Sequence, residues 1–320
     1  MRTSRAHRFA PAAALALGVA LAAAAAAQMP ALKPLQGTPA LGSPKDAANF
    51  TFVVAGDNRP PTPTPTPTPT IVTIFDAVKG MQPQPPFVVL TGDIIYGKDD
   101  KDKKLIEQEY QAFLKVAGSA GVTVYNAPGN HEMNKKGNQP SATMQKWYED
   151  NTGAIAYGAF SYGNSRFIAL NTDDLPGNSD CTSSSGKPAK GGFQGYLSPA
   201  QLAALKTELD QAKSMTNVFV FMHRPIYADK KTSQLPKHCR DTLRDLFSQY
   251  PNLRYVIASH RHLFYQPTTT KPPPPPIYLI SGGAGAPLAK GGFYNYLIFT
   301  VAGDQVSYKM INLGTGTPAH

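Results

Sequence analysis

Only two cysteines, Cys181 and Cys239, occur in the 320 residues, and neither belongs to a Cys-x-x-Cys pair. That excludes a zinc–thiolate site. Acidic residues are also scarce, 21 against 31 lysines and arginines, which leaves a net charge of +10. The surplus suits an anionic substrate, but the basic residues are scattered and no aromatic-basic platform accompanies them, so no nucleic-acid partner is expected. After the N-terminus no apolar run is long enough to cross a bilayer. There is no internal repeat. The 42% hydrophobic content is ample for a sizeable core and excludes a disordered chain.

The N-terminus itself carries Arg2, Arg5 and Arg8, then an alanine- and leucine-rich stretch, then Ala25-Ala26-Ala27 before Gln28. This is the order of a secretory signal. Residues 1–27 are therefore expected to be removed on export, to the exterior or the periplasm, leaving a charge three lower, +7. The apolar stretch is alanine-dominated and no cysteine follows the cleavage site to carry lipid, so stable membrane insertion is not expected. In an oxidising compartment Cys181 and Cys239 are expected to pair, which on a chain-entropy argument is worth about 4 kcal/mol.

Residues 28–48, with four prolines and no apolar period, read as a flexible leader. One folded domain is expected over 49–313, with a tail over 314–320. Its first strand, Thr51 to Ala55, runs into Gly56-Asp57-Asn58-Arg59, followed by an alternating Thr-Pro tract that predicts an exposed, extended polyproline II loop. Helical spacing from Ile71 to Met81, a strand at Phe87–Leu90, a helix near Leu105–Ala117 and a strand at Val122–Tyr125 continue the alternation. A helix at Ser141–Asp150 and a hairpin at Tyr157–Asn171 follow. Ser198-Pro199-Ala200-Gln201 marks the start of another helix. Strands at Asn217–Met222 and Leu253–Ala258 flank a helix at Arg240–Tyr250. Three antiparallel strands close the chain. The fold class predicted is α/β, two mixed sheets packed face to face and covered by helices.

Five of the apolar runs end in metal-ligand residue types: Gly56-Asp57, Gly92-Asp93, Gly129-Asn130-His131, Met222-His223 and Ser259-His260-Arg261-His262. Strand ends are where an open α/β sheet places its chemistry. Asp57, Asp93, Asn130, His223, His260 and His262 offer oxygen and nitrogen ligands without a thiol, a set that suits Zn, Mn or Fe. They are too many for one tetrahedral ion, and a carboxylate can bridge, so a two-metal centre is expected. If the segment is extended, His260 and His262 face one side and Arg261 the other.

This five-block series resembles the calcineurin-like metallophosphoesterase superfamily over residues 50 to 311. The resemblance implies a four-layer αββα sandwich, a dinuclear centre and hydrolysis of phosphate esters. Two departures stand out: Arg59 replaces the histidine ligand of most members, and Ser259 replaces a glycine. Gly92-Asp93-Ile94-Ile95-Tyr96 and His223-Arg224-Pro225-Ile226-Tyr227 are similar to blocks of the purple acid phosphatases, in which the tyrosine fills the missing ligand position. The resemblance implies Asp57, Asp93, Tyr96 and His262 on a first ion and Asp93, Asn130, His223 and His260 on a second, iron paired with zinc, manganese or iron. It implies His131 as the general acid, and Arg59 is a candidate clamp for phosphate oxygens.

The function expected is hydrolysis of a small phosphate monoester. The alternatives are a phosphodiesterase or nucleotidase on the same scaffold, or a non-catalytic metal- or phosphate-binding protein. Selectivity is expected in the loops 60–70, 97–104 and 173–195, which carry no readable pattern, and nothing in the sequence reads on oligomeric state.

Overall fold

The computed structural model describes residues 28–175, 181, 195–268 and 276–316. The expected signal stretch 1–27, most of the loop 173–195, the prolines 272–275 and the last four residues lie outside the described residues. The elements run β1 (Asn49–Ala55), α1 (Pro69–Gly80), β2 (Phe87–Leu90), α2 (Lys103–Ser119), β3 (Thr123–Asn126), α3 (Asn130–Met133), β4 (Asn134–Lys135), β5 (Gln139–Pro140), α4 (Ala142–Thr152), β6 (Gly158–Tyr162) and β7 (Ser165–Ala169). They continue with α5 (Pro199–Gln211), β8 (Asn217–Phe221), α6 (Lys237–Phe247), β9 (Leu253–Ala258), β10 (Phe264–Tyr265), β11 (Ile277–Ser281), β12 (Tyr294–Ala302) and β13 (Gln305–Gly314).

Period-two alternation decides how these strands layer. In β1, Phe52 and Val54 turn to one face and Val53 and Ala55 to the other, and all four are fully buried. Phe52 and Val54 join Phe87, Phe167, Phe219, Tyr255 and Phe299 in an aromatic layer between two sheets. Val53 and Ala55 pack against α1 and α2, while Val218, Val220 and Met222 of the other sheet pack against α5 and α6. The order is therefore helix, sheet, sheet, helix. The first sheet runs β13-β12-β1-β2-β3 and the second β10-β11-β9-β8-β7-β6. Both are mixed: β1, β2 and β3 are parallel, as are β7, β8, β9 and β11, with antiparallel pairs at the margins.

Helix starts follow local chemistry. Asp102 accepts from the Leu105 N–H at 3.0 Å and Ser198 from the Gln201 N–H at 3.2 Å, each satisfying an orphan donor of a first turn. The Thr-Pro tract ends as the N-cap and first residue of α1, Thr68 and Pro69.

Two expectations require correction. Residues 28–48 are not a loose leader: Met29, Leu32 and Leu35 are buried, the Leu32 N–H donates to Ala159 O at 2.9 Å, and the Leu35 N–H donates to Val124 O at 2.8 Å. The segment thus straps the β6 edge of one sheet to the β3 edge of the other. Its few apolar residues are spaced by no regular element and so gave no period. The Thr-Pro tract, likewise, is not one straight rod. It bends at 61–63 and again at 65, because the Thr64 N–H is drawn to the Glu109 carboxylate of α2 at 3.2 Å.

Candidate metal centre

The parallel strands β1, β2, β3, β8 and β9 all end on one side of the molecule, and their following turns converge. Three candidate ligand residues there adopt left-handed backbone: Asp57 at φ 57°, Asp93 at 55° and His260 at 67°. A non-glycine residue in this region costs about 1–2 kcal/mol, so the surroundings must impose it. At Asp93 this falls to Glu132. Its buried carboxylate accepts from the N–H groups of Asp93 (3.0 Å), Ile94 (2.6 Å), Ile95 (3.3 Å) and Gly129 (2.5 Å), stitching the Asp93 turn to the Asn130-His131 turn. Gly129 must be glycine, since a Cβ there would lie 2.4 Å from Asp93 Oδ1 and 2.9 Å from His223 Nδ1.

Asp57, Asp93 and His262 bring one ligand atom each to within 4.8 Å of one another. Both oxygens of Asp57 are buried, and neither makes a hydrogen bond of normal geometry among the described residues. Burial, reinforced by the Asp93 charge, pushes its pKa well above the usual carboxylate range. A buried carboxylate lacking donors is poorly accommodated unless a cation joins it, so this group fits a metal ion. His262 Nδ1 is 2.6 Å from Pro287 O, which places its proton there and leaves Nε2 facing Asp57 Oδ1 at 3.6 Å. A second group lies alongside. His223 Nε2 is 3.0 Å from Asn130 Oδ1 and 3.1 Å from His260 Nδ1, while His223 Nδ1 meets the Thr91 carbonyl at 2.8 Å. The carbonyl fixes the tautomer and turns the Nε2 lone pair toward Asn130 and His260, where it could be given to an ion.

Asp93 sits between the two groups. Its Oδ1 is 3.3 Å from His223 Nε2, and its Oδ2 is 3.8 Å from His131 Nε2 and 3.7 Å from Arg59 Nε. Burial alone would raise its pKa, but His131, His223, Arg59 and Lys98 around it hold the carboxylate well below the ordinary range. His131 is oriented by its Nδ1, which bonds the Tyr96 carbonyl, so that Nε2 faces the centre. Burial pushes its pKa down to about 3 against the pull of Asp93, so the imidazole is neutral here.

Each residue picked out in the sequence reaches this neighbourhood, with differences of detail. His260 and His262 do not lie on an extended segment. The positive φ of His260 turns the chain, so His260 joins His223 and Asn130 while His262 joins Asp57. Tyr96 presents its ring edge-on to His131, with centroids 5.6 Å apart, and lies under the Arg59 guanidinium at 5.8 Å. Ser259 is accommodated because Gly56 opposite has no side chain, and its hydroxyl donates to Thr91 O. No sequence pattern marks Glu132 as an organiser, or marks Lys98 or Asp173, whose carboxylate grips Arg224. Cys181 and Cys239 are bonded, tying the chain near Cys181 to α6.

Residues 50–264 match the model of the calcineurin-like phosphoesterases. The chain belongs to this family. Calcineurin-like phosphoesterases are metal-dependent, which is the chemistry to be read from the carboxylates and imidazoles gathered here. The human protein named serine/threonine-protein phosphatase CPPED1 is 26% identical over 199 residues, 58% of this chain and 56% of that protein, so the chain matches about half of its curated relative's length. The fold is shared with a purple acid phosphatase from yellow lupin (TM-score 0.61, 14% identity, 84% of this chain and 53% of that one). It is also shared with a dimetal phosphatase from Danio rerio (TM-score 0.59, 15% identity, 82% of this chain and 96% of that one).

Proposed function

We propose that this calcineurin-like phosphoesterase is an exported dinuclear enzyme that hydrolyses small phosphate monoesters. The observation that carries the reading is Asp93, a buried carboxylate lying between one ligand group with Asp57 and His262 and another with Asn130, His223 and His260. Asp57, Asp93 and His262, with Tyr96, would hold a first ion; Asp93, Asn130, His223 and His260 would hold a second. Ions bound there supply Lewis acidity and a water acidic enough to attack phosphorus near neutral pH.

The chain's own groups supply the rest. His131 is held by the Tyr96 carbonyl with Nε2 toward the centre, where it can pass a proton to the leaving oxygen. A doubly charged phosphate beside Nε2 stabilises the imidazolium and offsets the burial that otherwise keeps the ring neutral. Arg59, whose Nε lies 3.7 Å from Asp93 Oδ2 and has no hydrogen-bond partner among the described residues, binds a phosphate oxygen. Arg59 and Lys98 together favour a dianionic monoester over a singly charged diester. Export is supported by the Cys181–Cys239 bond, which suits an oxidising compartment.

Reconstitution with iron, zinc or manganese and assay on p-nitrophenyl phosphate, bis(p-nitrophenyl) phosphate, a nucleotide and a phosphoserine peptide tests the reading. Monoester turnover should exceed diester turnover. A preference for the diester would favour the phosphodiesterase alternative, and no turnover with any metal would favour a binding protein. If Tyr96 ligates Fe(III), the iron form is coloured and Tyr96→Phe bleaches it; a colourless active iron form would remove Tyr96 from the ligand set.

A further inference from the structure

A histidine that ligates a metal ordinarily donates its outer ring N–H to a carbonyl, a carboxylate or water. His223 and His262 follow this, their Nδ1 atoms lying 2.8 Å from Thr91 O and 2.6 Å from Pro287 O. His260 does not. Its outer Nε2 lies 3.2 Å from Arg224 Nη1, and a guanidinium has donors only. That contact is a hydrogen bond only while Nε2 carries a lone pair, which in a neutral ring puts the proton on Nδ1. Yet Nδ1 is the atom that faces His223 Nε2 at 3.1 Å and would take the ion. When Nδ1 gives its lone pair to a metal, the proton moves to Nε2 and two donors oppose each other.

Arg224 cannot easily retreat. Its Nε is 2.9 Å from both Asp173 oxygens and its Nη2 is 2.8 Å from Oδ1, and both side chains are almost fully buried, 4% and 0% exposed. Asp173 is in turn fixed by Asn134 Nδ2 at 2.8 Å, and the Arg224 N–H donates to Thr172 Oγ1 at 3.0 Å. Gly195 closes the other side, where a Cβ would lie 2.4 Å from Arg224 Cδ. In the first ligand group the outer nitrogen of His262 meets the Pro287 carbonyl instead, and no guanidinium opposes it among the described residues.

We propose that Arg224, aimed by Asp173, is a positioning residue that disfavours the ion-binding tautomer of His260 and so sets the affinity of the second ion below that of the first. The inference rests on the dinuclear reading above. Mn(II) titrated into metal-free protein, followed by calorimetry and by the spectrum of free Mn(II), should show two unequal binding steps. Arg224→Gln should tighten the second step by about tenfold, at the lower end of what partners of ligating histidines exert, and leave the first in place. Asp173→Asn, which frees the guanidinium to turn away, should shift the second step the same way by less. Should either single variant fail to fold, Asp173→Leu/Arg224→Leu removes both charges of the buried pair together and carries the same expectation. A second step that is unchanged or weaker in folded variants overturns the proposal. A wild-type protein that saturates with one ion overturns the dinuclear reading, and this inference with it.

Discussion

Glu132 lies next to His131, the proposed proton donor, and serves the structure of the site. Four backbone N–H groups converge on its carboxylate, and they belong to the two turns that present Asp93, Asn130 and His131. Glu132→Gln puts an amide NH2 against some of those donors, and each buried donor left unsatisfied costs about 1–3 kcal/mol. A loss of about 3 kcal/mol in urea unfolding of the metal-free protein is expected, with lower ion affinity. An unchanged midpoint would deny the stitching role. His131 differs in kind, since its proposed role is to protonate the leaving group. His131→Ala should reduce turnover of alkyl phosphates far more than that of p-nitrophenyl phosphate, whose phenolate leaves without a proton; equal losses would count against proton donation. The sequence made His131 legible because His after Gly-Asn at a strand end is a chemical pattern. Glu132 was illegible because its partners at 93–95 lie 37 to 39 residues away, and only the folded turns show that they face it. Asp173 was hidden for the same reason, 51 residues from Arg224.

At the scale of elements, the strands were readable because alternation and β-branching write them directly into the chain, and five of their ends announce the site. What joins elements was not readable. The 28–48 strap works through three scattered apolar residues, and the bend in the Thr-Pro tract through one carboxylate on α2. That carboxylate, Glu109, accepts from Thr64 N–H at 3.2 Å and from Gly97 N–H at 2.9 Å, tying the tract to the loop beyond Tyr96. Burial raises its pKa to about 7 from 4.5, against those two hydrogen bonds. A carboxyl whose folded pKa is raised favours the folded state fully below about 4.5 and loses that contribution as pH climbs through about 7. Wild type should therefore lose thermal stability relative to Glu109→Gln between pH 5 and pH 8. A difference in Tm that stays constant over this range would show that Glu109 titrates normally.

The whole molecule is two mixed sheets that aim five strand ends at one point, with an aromatic layer between them holding the alignment. Fold class was evident from strand-helix alternation, but the order of strands was not, since β12 returns from the far end of the chain to pair with β1. A charge of +10 on the whole chain suits anionic substrates at long range, while the proposed preference for a monoester rests locally on Arg59 and Lys98. No helix among the described residues is long and apolar enough to cross a membrane. Everything claimed for catalysis depends on Asp93 serving two ions at once. Metal analysis of the purified mature protein and of Asp93→Asn, each saturated with Mn(II) and freed of excess, tests that most directly. The account predicts two ions per wild-type chain and at most one in the variant; a wild-type chain holding one ion or none, or a variant that keeps both, would contradict it.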